Sequence, residues 1–127
     1  MAAEAERASE RLLVVEDDPS LGPLIMRTLA AAGFQVTLAT DLDSAVAAAQ
    51  EQDLDLVLSD LVLGVHDGHD VADALRAIKP HIRIIFMSGY GASRYGRDPG
   101  DPVLAKPFDA TELLARVERE LRRTDAS

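Results

Sequence analysis

The chain has no cysteine and no tryptophan among its 127 residues, and only three phenylalanines and two tyrosines. Without a thiol, disulfides, thiolate catalysis and cysteine-ligated zinc are excluded. With aromatics at 4% of the sequence, a core must be built from Leu, Val, Ile and Ala. Positive charge is also short: thirteen Lys and Arg face twenty-two Asp and Glu, for a net charge of −9. Neutralising nucleic-acid phosphates or an anionic bilayer needs a basic face, so neither partner is expected. The acidity is read instead as a solubility feature. Long hydrophobic runs are missing too. No apolar stretch approaches the ~18 residues of a membrane helix. The polar start MAAEAERASE has no apolar signal core, so a cytoplasmic location is expected.

What remains suits one soluble α/β domain, with apolar residues at 47%. Residues 1–10 read as a flexible lead-in, 11–123 as the domain and 124–127 as a tail. Leu12–Val15 is too short for a helix and reads as a buried strand. Asp18 and Pro19 read as a helix cap and first helical position, with Leu21, Leu24, Ile25 and Leu29 at helical spacing and Gly33 as the stop. Phe34–Ala39 is strand-like, and Ala45–Gln52 is a helix capped from Thr40 or Asp41. Asp55–Asp60 is the third strand. Val71, Leu75 and Ile78 form a helical stripe closed by Pro80. Ile82–Met87 and Val103–Ala105 complete five strands. Asp109 and Glu112 resemble a capping box opening a last helix, Thr111–Arg123. On that helix Leu113, Leu114, Val117 and Leu121 face the core, and the charged positions, Glu120 among them, form a solvated face.

Strands alternating with helices imply parallel βαβ units with helices on both faces. One stretch breaks the alternation. Residues 88–102, SGYGASRYGRDPGDP, hold four glycines and two prolines where a helix is due, so a loop or at most one helical turn is expected.

Each strand delivers polar residues at its carboxyl end, the edge where open α/β sheets bind ligands. Glu16 and Asp17 follow the first strand, Asp60 ends the third, Ser88 follows the fourth and Lys106 the fifth. Carboxylates brought together repel unless a cation offsets them, and all-oxygen donors favour Mg²⁺ or Mn²⁺. Asp60 is then a candidate nucleophile for phosphoryl transfer. Lys106 supplies a point charge, and Ser88 a hydroxyl, for the phosphoryl oxygens. Asp18 reads as a cap and not a ligand. His66, His69 and Asp67 read as solvated loop residues and not as a transition-metal site.

Taken in order, VVEDDP, LVLSDLVLGVHDG, IIFMSGYG and VLAKPF resemble the receiver domain of two-component response regulators, over Leu12 to about Leu121. The resemblance implies a flavodoxin-like doubly wound five-stranded parallel sheet, a (βα)5 fold with a shortened or irregular fourth helix. It implies an aspartyl phosphate at Asp60, with the phosphoryl group taken from a sensor histidine kinase or a histidine phosphotransfer protein. Asp17 matches a direct Mg²⁺ ligand, Glu16 the neighbouring acid acting through water, and Val62 a backbone carbonyl ligand. Ser88 matches the switch hydroxyl, and Lys106–Pro107 a peptide bond that is cis in the family.

Several positions depart from that pattern. Gly64 stands where Pro is usual, Val103 where a switch aromatic is usual, and the Ser88–Lys106 interval is short. With Gly89 and Tyr90 after the switch hydroxyl, the chain is similar to stand-alone receivers of the FATGUY type and to hybrid-kinase receivers. We expect the loop around Tyr90 and Tyr95 to order when Ser88 engages the phosphoryl group. A bulky Tyr90 is expected to shield the acyl phosphate and slow its hydrolysis. No output domain follows Leu121 in this sequence, and its Met1 start favours a free-standing protein, so output is expected through a protein partner, onward phosphotransfer or a phosphate sink. Two rivals stand beside this reading. A receiver-like adaptor would act without phosphorylation. A Mg²⁺-dependent phosphatase of the haloacid-dehalogenase type would place an acid two residues after its nucleophile, where this chain has Val62.

Overall fold

A computed structural model describes residues 9–63, 66–89 and 101–123, with the backbone alone for 66–68. Along the chain run β1 (Arg11–Val15), α1 (Leu21–Ala31), β2 (Gln35–Ala39), α2 (Leu42–Glu51), β3 (Leu56–Asp60), β4 (Val62–Leu63) and β5 (His66–Asp67). They are followed by α3 (Gly68–Ile78), β6 (Arg83–Ser88), β7 (Val103–Ala105) and α4 (Ala110–Arg122).

Five strands form one parallel sheet in the order β2-β1-β3-β6-β7. The strands are short and aliphatic, and alternate residues point to opposite faces, so each face gathers its own core. Leu12, Val14, Leu56, Leu58, Ile85 and Met87 pack under α1 and α4, against Ile25, Leu29, Leu113 and Val117. Leu13, Val15, Val57, Ile84 and Phe86 pack under α2 and α3, against Ala45, Ala49, Val71 and Leu75. Both faces are therefore covered, as a parallel sheet requires. The strand order reverses direction between β1 and β3, and this switch point opens a crevice at their carboxyl ends.

The helix signals act as read, with shifted boundaries. The Asp18 carboxylate accepts from the amides of Ser20 (2.8 Å) and Leu21 (2.9 Å), so it caps the chain's entry into α1, which begins at Leu21 rather than at Pro19. Beyond the other end of α1, Gly33 takes φ 110°, a conformation that a side chain disfavours. Asp41 caps α2 through a reciprocal box with Ser44, and Asp109 accepts from the Glu112 amide at the start of α4. Arg76 on α3 grips Asp101 with both terminal nitrogens (2.8 and 3.0 Å) and donates to the Ile82 carbonyl, tying α3 to the approach to β7.

Three expectations need correction. The turn after Asp60 contains a two-residue antiparallel ladder, β4 with β5, too short to leave a periodic signal. Glu120 is not on a solvated face: it is buried, Arg83 donates to its carbonyl, and Arg123 approaches its carboxylate at 3.7 Å. His69 is not a solvated loop residue either. It sits in the first turn of α3, on the stripe of Ala72 and Leu75, and only 9% of it is exposed. The expected loop with Tyr90 and Tyr95 falls in residues 90–100, outside the described residues.

Candidate functional site

The crevice is built from backbone outward. Glu16 continues β1 by one residue, its amide bonded to the Ala39 carbonyl of β2 (3.0 Å). Asp60 closes β3, and the next amide, Leu61, bonds the Met87 carbonyl of β6 (3.0 Å). Lys106 follows β7 directly, its amide bonded to the Ser88 carbonyl (2.7 Å). Four neighbouring strand ends thus deliver Glu16, Asp60, Ser88 and Lys106 to one edge of the sheet.

Lys106 joins the acids. Its Nζ donates to Glu16 Oε1 at 2.8 Å and to Asp60 Oδ2 at 3.2 Å. The other Glu16 oxygen accepts from the Asp18 amide (3.2 Å), and the other Asp60 oxygen from the Val62 amide (3.3 Å). Glu16 is buried, Asp60 half-buried and Asp17 exposed, yet each offers an oxygen within 4.8 Å of the others. Three carboxylates against one ammonium leave a negative excess that attracts a further cation. Burial raises the Glu16 carboxyl above the ordinary carboxylate range, against the opposing hydrogen bond from Lys106. Burial also works against the Lys106 ammonium, but Glu16 and Asp60 together outweigh it and raise the lysine above its usual value.

The other candidates fall around this centre. Ser88 is buried at the end of β6, and Gly89 is exposed, with nothing within 4 Å of where a Cβ would stand. Val62 is 41% exposed beside Asp60. Val103 is half-buried and packs on the core under α2 and α3. The Lys106–Pro107 bond is cis. A cleft of about 420 Å³ adjoins the lysine, lined by Leu21, Gly89, Lys106, Pro107 and Phe108. Tyr90 lies outside the described residues.

Sequence reasoning passed over Gly22. A Cβ there would stand 3.3 Å from the Glu16 carbonyl oxygen and 3.2 Å from a Leu38 methyl, so any side chain at this position makes the acidic turn or Leu38 give way slightly. A glycine inside an otherwise regular helical stripe was the available signal.

The chain matches the family model of the response regulator receiver domain over residues 12–118. It is 37% identical over 121 residues to the DNA-binding dual master transcriptional regulator RpaA of Synechocystis, covering 91% of this chain and 50% of RpaA. It therefore spans about half the length of RpaA and of several other curated relatives. It is 32% identical over 116 residues to the response regulator receiver protein CpdR of Brucella abortus, covering 88% of this chain and 97% of CpdR. Among solved structures it resembles the receiver domain of sensor histidine kinase PA1611 from Pseudomonas aeruginosa, described with a magnesium ion coordinated in its active site cleft. The TM-score is 0.78 at 30% identity, over 90% of this chain and 98% of that one. With the five-stranded fold and the acid–lysine cluster at its switch point, these likenesses establish that the chain belongs to the response regulator receiver domain family.

Proposed function

We propose that this domain, with bounds 11–123, accepts a phosphoryl group on Asp60 from the phosphohistidine of a sensor histidine kinase or a histidine phosphotransfer protein. The observation that carries the reading is Lys106 Nζ held between Glu16 and Asp60, with Asp17 beside them. This arrangement sets the Asp60 carboxylate at the mouth of a crevice and points an ammonium at the place where phosphoryl oxygens would arrive. In the transfer, an Asp60 oxygen attacks phosphorus. The P–O bond forms as the P–N bond to the donor imidazole breaks, and the released nitrogen regains a proton.

The donor set fits a hard divalent cation, being all oxygen and carrying excess negative charge. Asp17, Asp60 and the Val62 carbonyl would hold Mg²⁺ or Mn²⁺, with Glu16 acting through water. When bound, such an ion offsets charge on the phosphoryl oxygens. Lys106 neutralises one of those oxygens, and the Ser88 hydroxyl donates to another. The protein is then its own phosphoryl acceptor, turns over no diffusible substrate, and signals by changed affinity for a protein partner or by onward transfer. The acidic surface supports a protein partner over nucleic acid or membrane. Among the described residues no helix is long and apolar enough to cross a bilayer.

The test is incubation of the full chain with acetyl phosphate and Mg²⁺, read by intact mass. Gain of one phosphoryl group, lost in Asp60→Asn and with a chelator, is the expected result. A chain that takes up none while still capturing its partner is an adaptor, and the acceptor reading falls.

A further inference from the structure

His69 poses a problem that the acid cluster leaves unsolved. Its Nε2 is buried without a hydrogen-bond partner among the described residues, and its ring packs against Phe86, centroids 6.3 Å apart and planes tilted by 49°. An imidazole nitrogen shut away from water with nothing in exchange destabilises the arrangement that buries it. Folded proteins keep few such groups, and those that persist call for an explanation. A leucine would fill the same stripe, beside Ala72 and Leu75, without that cost.

The surroundings indicate which arrangement the cost acts on. Phe86 lies two residues before Ser88 on β6 and stands in register with Ser59, the residue before Asp60. On its other side, His69 follows the β4–β5 ladder, which begins at Val62, whose amide holds Asp60. The groups beside His69 are thus continuous in backbone with the Val62 amide that bonds the Asp60 carboxylate and with Ser88 at the same sheet edge. Resting on the phospho-acceptor reading, we infer that His69 is a positioning residue that biases the domain toward its phosphoryl-bound arrangement. When Ser88 turns toward a phosphoryl oxygen, the end of β6 carries Phe86 with it and admits water to Nε2. The penalty belongs to the resting arrangement and is relieved in the other, so it strengthens phosphoryl binding by the difference.

The test uses the full chain with beryllofluoride and Mg²⁺ as the phosphoryl mimic, with binding measured by calorimetry for wild type, Asp60→Asn and His69→Leu. Wild type binds and Asp60→Asn does not. His69→Leu binds at least about fivefold more weakly, equal to about 1 kcal/mol at 1.4 kcal/mol per decade, and unfolds at a higher temperature without the mimic. Equal affinity in wild type and His69→Leu overturns the inference. A second readout needs no variant. In ¹⁵N-labelled wild type, the His69 Nε2 resonance shifts on adding the mimic as the nitrogen gains a partner, and an unmoved resonance overturns the inference as well. Wild type that binds no mimic brings down the acceptor reading and this one together, and so differs from a failure confined to His69.

Discussion

Lys106 balances part of the charge of the acid cluster, and Gly22 lies against the backbone of Glu16. In the metal-free protein Lys106 is the counter-charge for a Glu16 whose side chain is 1% exposed. Lys106→Met leaves that carboxylate buried and unpaired, and is expected to lower stability by about 3 kcal/mol in urea unfolding. Mg²⁺ should then stabilise the variant more than wild type, because the ion replaces the missing charge. Equal stabilisation would show that metal and lysine do not share the same acids. The pH dependence has a definite sign. The Lys106 pKa is raised in the fold, so its contribution is full below the ordinary lysine value of 10.5 and is lost as pH rises through the higher folded value. Wild-type stability should therefore fall more steeply than that of Lys106→Met above pH 10.5. For Gly22, an added methyl meets one yielding neighbour, the Leu38 methyl, and one fixed neighbour, the Glu16 carbonyl. Gly22→Ala should weaken Mg²⁺ binding several-fold even though alanine favours a helix by up to about 1 kcal/mol. Adding Leu38→Val should leave Mg²⁺ binding weak; full recovery would place the conflict at Leu38 alone.

Elements with a local chemical signal were legible, and those defined by long-range pairing were less so. Val103–Ala105 was read with its observed bounds, and the other sheet strands came within a residue or two, because short aliphatic runs bounded by turn residues leave little choice. Caps were legible for the same reason: one side chain serves amides two or three residues on. Asp109→Ala should cost about 1 kcal/mol by loss of the bond to the Glu112 amide, measured by thermal or urea unfolding. Asp41 allows a pH test. The Ser44 side chain and then its amide hold the Asp41 carboxyl below its ordinary 3.8, so its contribution is present above that value and lost as pH falls through the lower folded one. Asp41→Asn should unfold with a shallower loss of stability below pH 3.8. The β4–β5 ladder was invisible, since two residues cannot display a period. His69 was legible in spacing and misread in chemistry. It lies three residues before Ala72, on the buried stripe, but a histidine after a glycine-rich turn suggests solvent.

Across the whole molecule, the order of residues determined the fold class and the membership of the site. Alternating strand and helix signals permit few arrangements other than a parallel sheet covered on both faces, and such a sheet must gather its strand ends at one edge. That Glu16, Asp17, Asp60, Ser88 and Lys106 belong together could be read from the strands they terminate. What the chain's linear order could not express was distance, burial and satisfaction. Which acid lies buried and which faces water, which carboxylates Lys106 bridges, and how closely α1 may approach the acidic turn depend on packing between segments far apart in sequence. The same holds for His69, whose ring lies against Phe86 and whose Nε2 is buried with no partner among the described residues. Local propensity and periodicity act within a few residues, so sequence alone sufficed for the elements and their polar ends. Desolvation and hydrogen bonding are properties of an enclosed volume, and only the assembled sheet and helices create one.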